Sequence, residues 1–273
     1  MTDMDILIQM ENIRITKGSR DPEFESLRER YLDSLCEPIE LYTQLLSRDA
    51  DPHHIVHEGR RIGYFLLGTD RILREFYLAD DFIPSADDIF RNFMSGLPVE
   101  KAVCQSWDHL FMSMCHLHFK DHKTIGYNFR DRIDPKEPIP DLDLVERTAT
   151  LDDVDLMTSY SDGIFDENEI KDIPYWIERS ECIIFENPEG VFIGYGMINR
   201  TVEGRNWFDI GMYVNPDHRR KGYGSYIIGR MAEICEENGC RPTAGCAFEN
   251  IGSKKTLERA GFVSKHLIIE FRN

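Results

Sequence analysis

Short runs of β-branched, aromatic and aliphatic residues, bounded by glycine, proline and charged turns, recur along this chain in two matching series. In the first, "HHIVHEGRRIGYFLLGT" reads as strand, turn and strand, and "RILREFYLAD" as a further strand. In the second, "ECIIFENPEGVFIGYGMINR" and "NWFDIGMYVNP" repeat that order. Both turns lead into the same tripeptide, "IGY", at 62–64 and 193–195. Beyond them, "KAVCQSW" and "PTAGCAF" read as buried strands. Each series closes on a short helix and a last strand, "KTIGYNFRD" and "HLIIEFRN". Helical material precedes each series: the amphipathic "EFESLRERYLDSLCEPIELYTQLL", interrupted at Pro38, and "LDDVDLMTSYSDGIF", whose acids suit a helix N-terminus. Matching points lie about 130–140 residues apart, the size of one small domain.

Each half therefore predicts strand, two helices, three strands, helix, strand, helix, strand. Hairpins followed by helical crossovers give a mixed, mostly antiparallel sheet flanked by helices, an α/β (α+β) class. "DRIDPKEPIPDLD" at 131–143 carries Pro135, Pro138 and Pro140 and reads as a linker. The predicted domains are 1–134 and 142–273, joined by 135–141.

Composition narrows the function. The formal charge is −17, spread over both halves. A nucleic-acid partner needs a basic face and is disfavoured. A cationic substrate is permitted. No apolar run approaches the ~20 residues of a membrane span, and the N-terminus lacks the pattern of a signal peptide. The seven cysteines include no CxxC pair, so reduced thiols and a cytoplasmic location are expected. His118 and His122 are spaced i, i+4 as metal ligands could be, but neither CxxC nor HExxH accompanies them, and no metal is expected.

Against this acidic background, "NPDHRRKGYGSYII" (215–228) places Arg219, Arg220 and Lys221 ahead of Gly222 and Gly224 at the start of a helix. The first amides of a helix lack internal partners and favour an anion. Glycines let a phosphate approach the backbone. The loop is neither GxxxxGK[ST] nor GxGxxG.

The order Arg219-Arg220-Lys221-Gly222-Tyr223-Gly224 fits R-x-x-G-x-G. With "MYVNP" upstream and "FENIGSKKTLERAGF" (248–262) downstream, it resembles the GCN5-related N-acetyltransferase (GNAT) family over residues 142–273. The first half resembles the same fold, in tandem. Its loop position reads "DFIPSADDIF" (81–90), without glycines and with Asp87 and Asp88, which would repel phosphate. That half is expected to be a degenerate copy without cofactor binding.

The resemblance implies acetyl transfer from acetyl-CoA, as cosubstrate, to a primary amine by direct attack in a ternary complex. It implies that Arg219, Arg220, Lys221, Gly222, Tyr223, Gly224 and Ser225 bind the pyrophosphate. The strand edge at Met212, Tyr213 and Val214 would pair with the pantetheine arm, and an amide near Tyr213 or Val214 would face the thioester oxygen. Asn250, with Ser253 nearby, would contact the arm. A protonated amine cannot attack, so a base is required. Asp209 is the first candidate and Glu249 the second. The tyrosine that the family often carries four residues before the closing glycine is replaced by Leu257. Tyr213, Tyr223 and Tyr226 lie near in sequence, and Tyr213 is carried as a candidate acid. Cys246 reads as a buried strand cysteine. The acidic run 151–172 borders the family's acceptor site and would attract a small cationic amine. The expected partners are that amine and acyl-CoA, with no nucleic acid or membrane, in a monomer or homodimer. Two other classes remain open: a non-catalytic acyl-CoA sensor or interaction module, and an aminoacyl-transferase acting on charged tRNA, which the acidic balance disfavours.

Overall fold

The structure, a computed structural model, describes residues 6–9, 12–135, 138–139, 142–159 and 167–273. Its first elements are β1 (Ile6–Gln9), β2 (Ile13–Lys17), α1 (Pro22–Ser34), α2 (Leu41–Arg48), β3 (Asp51–His57), β4 (Arg60–Leu67), β5 (Ile72–Leu78), α3 (Ala86–Gly96), β6 (Lys101–Gln105), α4 (His109–His118) and β7 (Asp121–Arg132). Then follow β8 (Val145–Thr148), α5 (Val154–Ser159), α6 (Glu167–Glu178), β9 (Cys182–Glu186), β10 (Phe192–Arg200), β11 (Trp207–Val214), α7 (Tyr223–Glu237), β12 (Arg241–Ala247), α8 (Ile251–Arg259) and β13 (Phe262–Arg272). The order matches the expectation for each half, with β1 as one strand more. The helical stretch around Pro38 divides as its proline requires, into α1 and α2. Among the described residues, no helix is long and apolar enough to cross a membrane.

The chain packs into two compact units, residues 1–126 with 266–273, and residues 127–265. These differ from the halves read on either side of 135–141. Linker residues 136–137 and 140–141 lie outside the described residues. The difference arises in the closing strands. β13 begins in unit 2, but Ile268–Arg272 pair antiparallel with Gln105–Lys101 of β6 in unit 1. β7 begins in unit 1, but Phe129 is buried in the core of unit 2 and Arg130 donates to the Ala244 carbonyl there at 3.3 Å. Each unit thus completes its sheet with residues that are remote in sequence.

In unit 1, β1 to β5 form an antiparallel meander, and β6 lies parallel to β5. A crossover through α3 makes that parallel step possible. Alternation along β4 and β5 sends Phe65 and Phe76 to one face, where they pack with Phe90 and Phe93 of α3 and Phe111 of α4. α1 covers the other face. Asp21 accepts from Phe24 N at 3.0 Å and so caps it. The Phe24 ring meets Tyr64 edge-on at 4.9 Å.

Unit 2 repeats the plan with β8, β9, β10 and β11 antiparallel and β12 parallel to β11. α7 and α8 share a core with Ile210, Val214 and Phe185 on one face. α5 and α6 cover Tyr195, Tyr213 and Ile184 on the other. Thr150 and Asp153 form a reciprocal cap on the turn leading into α5, as the acidic helix start predicts. Of the acidic run 151–172, residues 160–166 lie outside the described residues.

Asp108 of unit 1 is buried, and desolvation pushes its pKa up to about 7 despite the hydrogen bond from the Tyr31 hydroxyl at 2.8 Å. A carboxyl raised in the folded state contributes stability below its unfolded pKa of 3.8 and loses it as pH rises toward 7. Asp108→Asn, which stays neutral, should therefore gain on the wild type between pH 4 and pH 8, as read from urea midpoints at each pH.

Candidate functional site

β11 pairs with β10 along its length, from Phe208↔Arg200 to Val214↔Gly194. With β12 it pairs only at Trp207↔Arg241, Phe208↔Pro242 and Asp209↔Thr243. Beyond that rung the two parallel strands part. The gap is a cleft of about 130 Å³, walled by Met197, Gly211, Met212 and Tyr213 of the sheet and by Ser253 and Leu257 of α8. Ladder parity shows which backbone groups face it. Asn215 N donates to Ile193 O toward β10 at 2.9 Å. The 193–215 and 195–213 pairs are thus the hydrogen-bonded type, and the amides of Met212 and Val214 turn the other way, into the gap.

The segment after β11 is pinned before it reaches the helix. Asn215 Nδ2 donates to Phe192 O at 3.1 Å and its Oδ1 accepts from Asp217 N at 3.1 Å. Arg219 Nε donates to Val214 O at 3.0 Å, and its guanidinium lies 5.4 Å from the Tyr213 ring centroid. Lys221 Nζ donates to Asp217 O at 3.2 Å. Two left-handed residues follow closely, Arg220 at φ 63° and Gly222 at φ 93°. Gly222 is the N-cap of α7. The first intrahelical bond runs from Tyr226 N to Gly222 O at 3.1 Å, so the amides of Tyr223, Gly224 and Ser225 precede the ladder. Successive amides in such a turn make an anion-binding concavity.

Gly224 also serves packing. Its missing Cβ would point at Thr256 Cγ2, 3.0 Å away, with Met212 and Val214 beyond. Gly224 lets α7 pack against α8 and β11; only Gly222 needs glycine for its backbone conformation. Ser225 is likewise buried, its hydroxyl 3.5 Å from Thr256 O. Asn250 caps α8 by accepting from Ser253 N at 3.0 Å, a task the sequence motif did not disclose.

Asp209 stands on the last shared rung, half-buried, opposite Asn199 and beside Thr243. Glu249 is exposed in the turn before α8. Tyr213 is buried and stacked on Tyr195, with centroids 5.3 Å apart. Met212, Tyr213 and Ser253 thus line the cleft, Val214 turns its amide toward it, Asp209 stands at the rung where the strands part, and Arg219 to Gly224 lie in the turn between β11 and α7. Leu257 is buried in the wall and carries no hydroxyl. Cys246 is half-buried, and burial pushes its thiol up to about 11.

His118 and His122 do not share a helical face, because α4 ends at His118. His118 Nε2 lies 2.8 Å from Asp87 Oδ1. Among the described residues, no group of three or more His, Cys, Asp or Glu is arranged to hold a metal ion.

A family model described as the acetyltransferase (GNAT) domain matches residues 21–132. A second, described as the acetyltransferase (GNAT) family, matches 149–262. The chain belongs to the GNAT family, with two such domains in tandem. Among curated relatives of this GNAT protein, the uncharacterized N-acetyltransferase YjdG of Bacillus subtilis is 37% identical over 67 residues, 24% of this chain and 40% of that protein. A thialysine N-epsilon-acetyltransferase of Sus scrofa is 40% identical over 69 residues, 22% of this chain and 41% of that protein. The matched segment therefore spans about 40% of the curated relatives' length. Among solved structures, a GNAT-family acetyltransferase of Colwellia psychrerythraea superposes with a TM-score of 0.86 at 16% identity, over 94% of this chain and 98% of that one. A tandem GNAT protein from the clavulanic acid biosynthesis pathway gives 0.58 at 12%, over 96% and 98%. These likenesses bear out the tandem fold.

Cys246 should be alkylated more slowly than the exposed Cys36 at pH 8, with a rate that climbs toward pH 11. Peptide mapping after timed iodoacetamide treatment separates the two sites.

Proposed function

We propose that residues 142–273 form an acetyl-CoA-dependent N-acetyltransferase domain acting on the primary amine of a small cationic acceptor. One observation carries the reading: α7 opens on a left-handed Gly222 a short turn after β11, the strand that has parted from β12. Amides ahead of a helix ladder suit a diphosphate, and a strand edge turned into a gap suits an extended amide-bearing arm. These are the two chemical features of the cosubstrate, which supplies an activated acetyl group as a thioester.

In this reading the amides of Tyr223, Gly224 and Ser225, flanked by Arg219, Arg220 and Lys221, hold the diphosphate. The Met212 and Val214 amides hold the arm, and the Val214 N–H serves the developing oxyanion. Asn250 and Ser253 border the arm. Tyr213 forms wall, its ring stacked between Tyr195 and Arg219. An amine with a pKa of about 10 arrives protonated, and Asp209, at the rung where the strands part, takes its proton. Glu249 is the rival base on the rim. With leucine at 257, the departing thiolate takes its proton from water. A relative named for acetylation of thialysine supports a small amine as acceptor, and the net charge of −17 supports a cationic one. The missing hydroxyl at Leu257 also favours a second reading, a binder of acyl-CoA that transfers nothing.

Calorimetric titration with acetyl-CoA should show binding to the wild type and none to Gly222→Trp; silence from the wild type at millimolar cosubstrate would end both readings. A colorimetric assay of thiol release over a panel of primary amines separates them, since the binder releases none. Asp209→Asn should lower kcat about a hundredfold while leaving acetyl-CoA affinity in place. Glu249→Gln should leave both unchanged.

A further inference from the structure

We infer that unit 1 contains a second cleft of the same construction, sealed by its own side chains, so that the chain takes up one acyl thioester and not two. The inference rests on the reading of unit 2 above.

The two units share a register. In unit 2, Tyr195 faces Tyr213 and Met197 faces Gly211. In unit 1, Tyr64 faces Tyr77 and Leu66 faces Glu75. The parallel partner again leaves early: β5 meets β6 only at Ile72↔Lys101 and Leu73↔Ala102. The cap after the next strand also corresponds. Asp108 accepts from Phe111 N at the start of α4, as Asn250 accepts from Ser253 N at the start of α8. The position of Gly211, which walls the open cleft, is thus held in unit 1 by Glu75.

Glu75 is fully buried and fully engaged. Arg28 of α1 donates to it twice, Nη2 to Oε1 at 2.8 Å and Nε to Oε2 at 3.2 Å, and the Tyr64 hydroxyl donates to Oε2 at 2.8 Å. Gln44 of α2 accepts from Arg28 Nη2 at 2.6 Å. Three residues along α1 from Arg28, Tyr31 extends the cluster across the gap. Its ring lies edge-on to Tyr64 and Tyr77, at 6.3 Å and 6.4 Å, and its hydroxyl donates to Asp108 at 2.8 Å. The cluster therefore runs from β5 to the cap beside β6. A buried, mutually satisfied ion pair is hard to open, because parting it strands a charge away from water. The entrance differs as well. The segment 80–85 forms a 3₁₀ turn that runs straight into α3, with no left-handed residue and with Asp87 and Asp88 in the first helical turn.

Two measurements on the full chain test the sealing. The first is calorimetric. Acetyl-CoA should bind the wild type at one equivalent and Gly222→Trp at none. Two equivalents on the wild type, or one surviving in Gly222→Trp, would overturn the inference. Gly211→Glu should cost at least a hundredfold in affinity. A Cβ there meets only the flexible end of Met197 at 3.2 Å, so the domain should still fold. Unchanged affinity would show that this position does not decide closure. The second measurement needs no ligand. In hydrogen exchange read by mass spectrometry, 74–78 should be strongly protected while 211–214 exchanges faster; rapid exchange in both would overturn the sealing. A wild type that binds nothing while 74–78 is protected counts against the proposed function and not against the seal.

Discussion

The early parting of β11 from β12 is the constraint on which unit 2 is organised. A parallel pair that stops after Asp209↔Thr243 leaves the amides of Met212 and Val214 facing a gap with no strand opposite them. Such groups must be met by water or by a ligand. Buried side chains from two helices stand in the gap, Leu257 of α8 and Ile228 of α7. Gly224 brings those helices together by leaving room for Thr256. The segment that turns from strand to helix is tied back to its own strand by Arg219 on Val214 O. Opening and strand-to-helix turn are therefore parts of one corner, tied together by side chains of the chain itself.

Much of this was legible in the residues. The alternation of "IGYFLL" and "IGYGMI" located the hairpins, and Pro38 located the break between α1 and α2. Gly222 and its basic neighbours marked the helix mouth. Other features were hidden, because they depend on contacts between residues far apart in the chain. The letters of "HLIIEFRN" specify a strand but not its partner, and Ile268 pairs with Gln105. Nothing in "RILREFYL", where Glu75 stands between Arg74 and Phe76, marks it as buried. Only the approach of Arg28, 47 residues away, makes it a buried anion. Gly224 was legible as a glycine but not for its reason, which is a methyl group on another helix.

The two units show how one framework supports opposite interiors. The facing tyrosine pair persists in both, Tyr64 with Tyr77 and Tyr195 with Tyr213, as does a side-chain cap on the helix after the short parallel strand. What differs is the residue two places before the second tyrosine. A glycine leaves space there; a glutamate with an arginine from the covering helix fills it. Backbone plan and pocket content have separated, as expected when sites are grafted on a shared scaffold.

The closing strand carries a consequence for how the chain comes to be folded. Residues 266–273 belong to the first unit, yet they are synthesised long after the strand they pair with, β6. During synthesis, β6 waits with one edge bare while residues 106–265 are being made. Such an edge is a template for wrong pairing. Unit 1 is thus completed only once β13 has been made, and loss of residues 266–273 would damage a unit most of whose residues lie before 127.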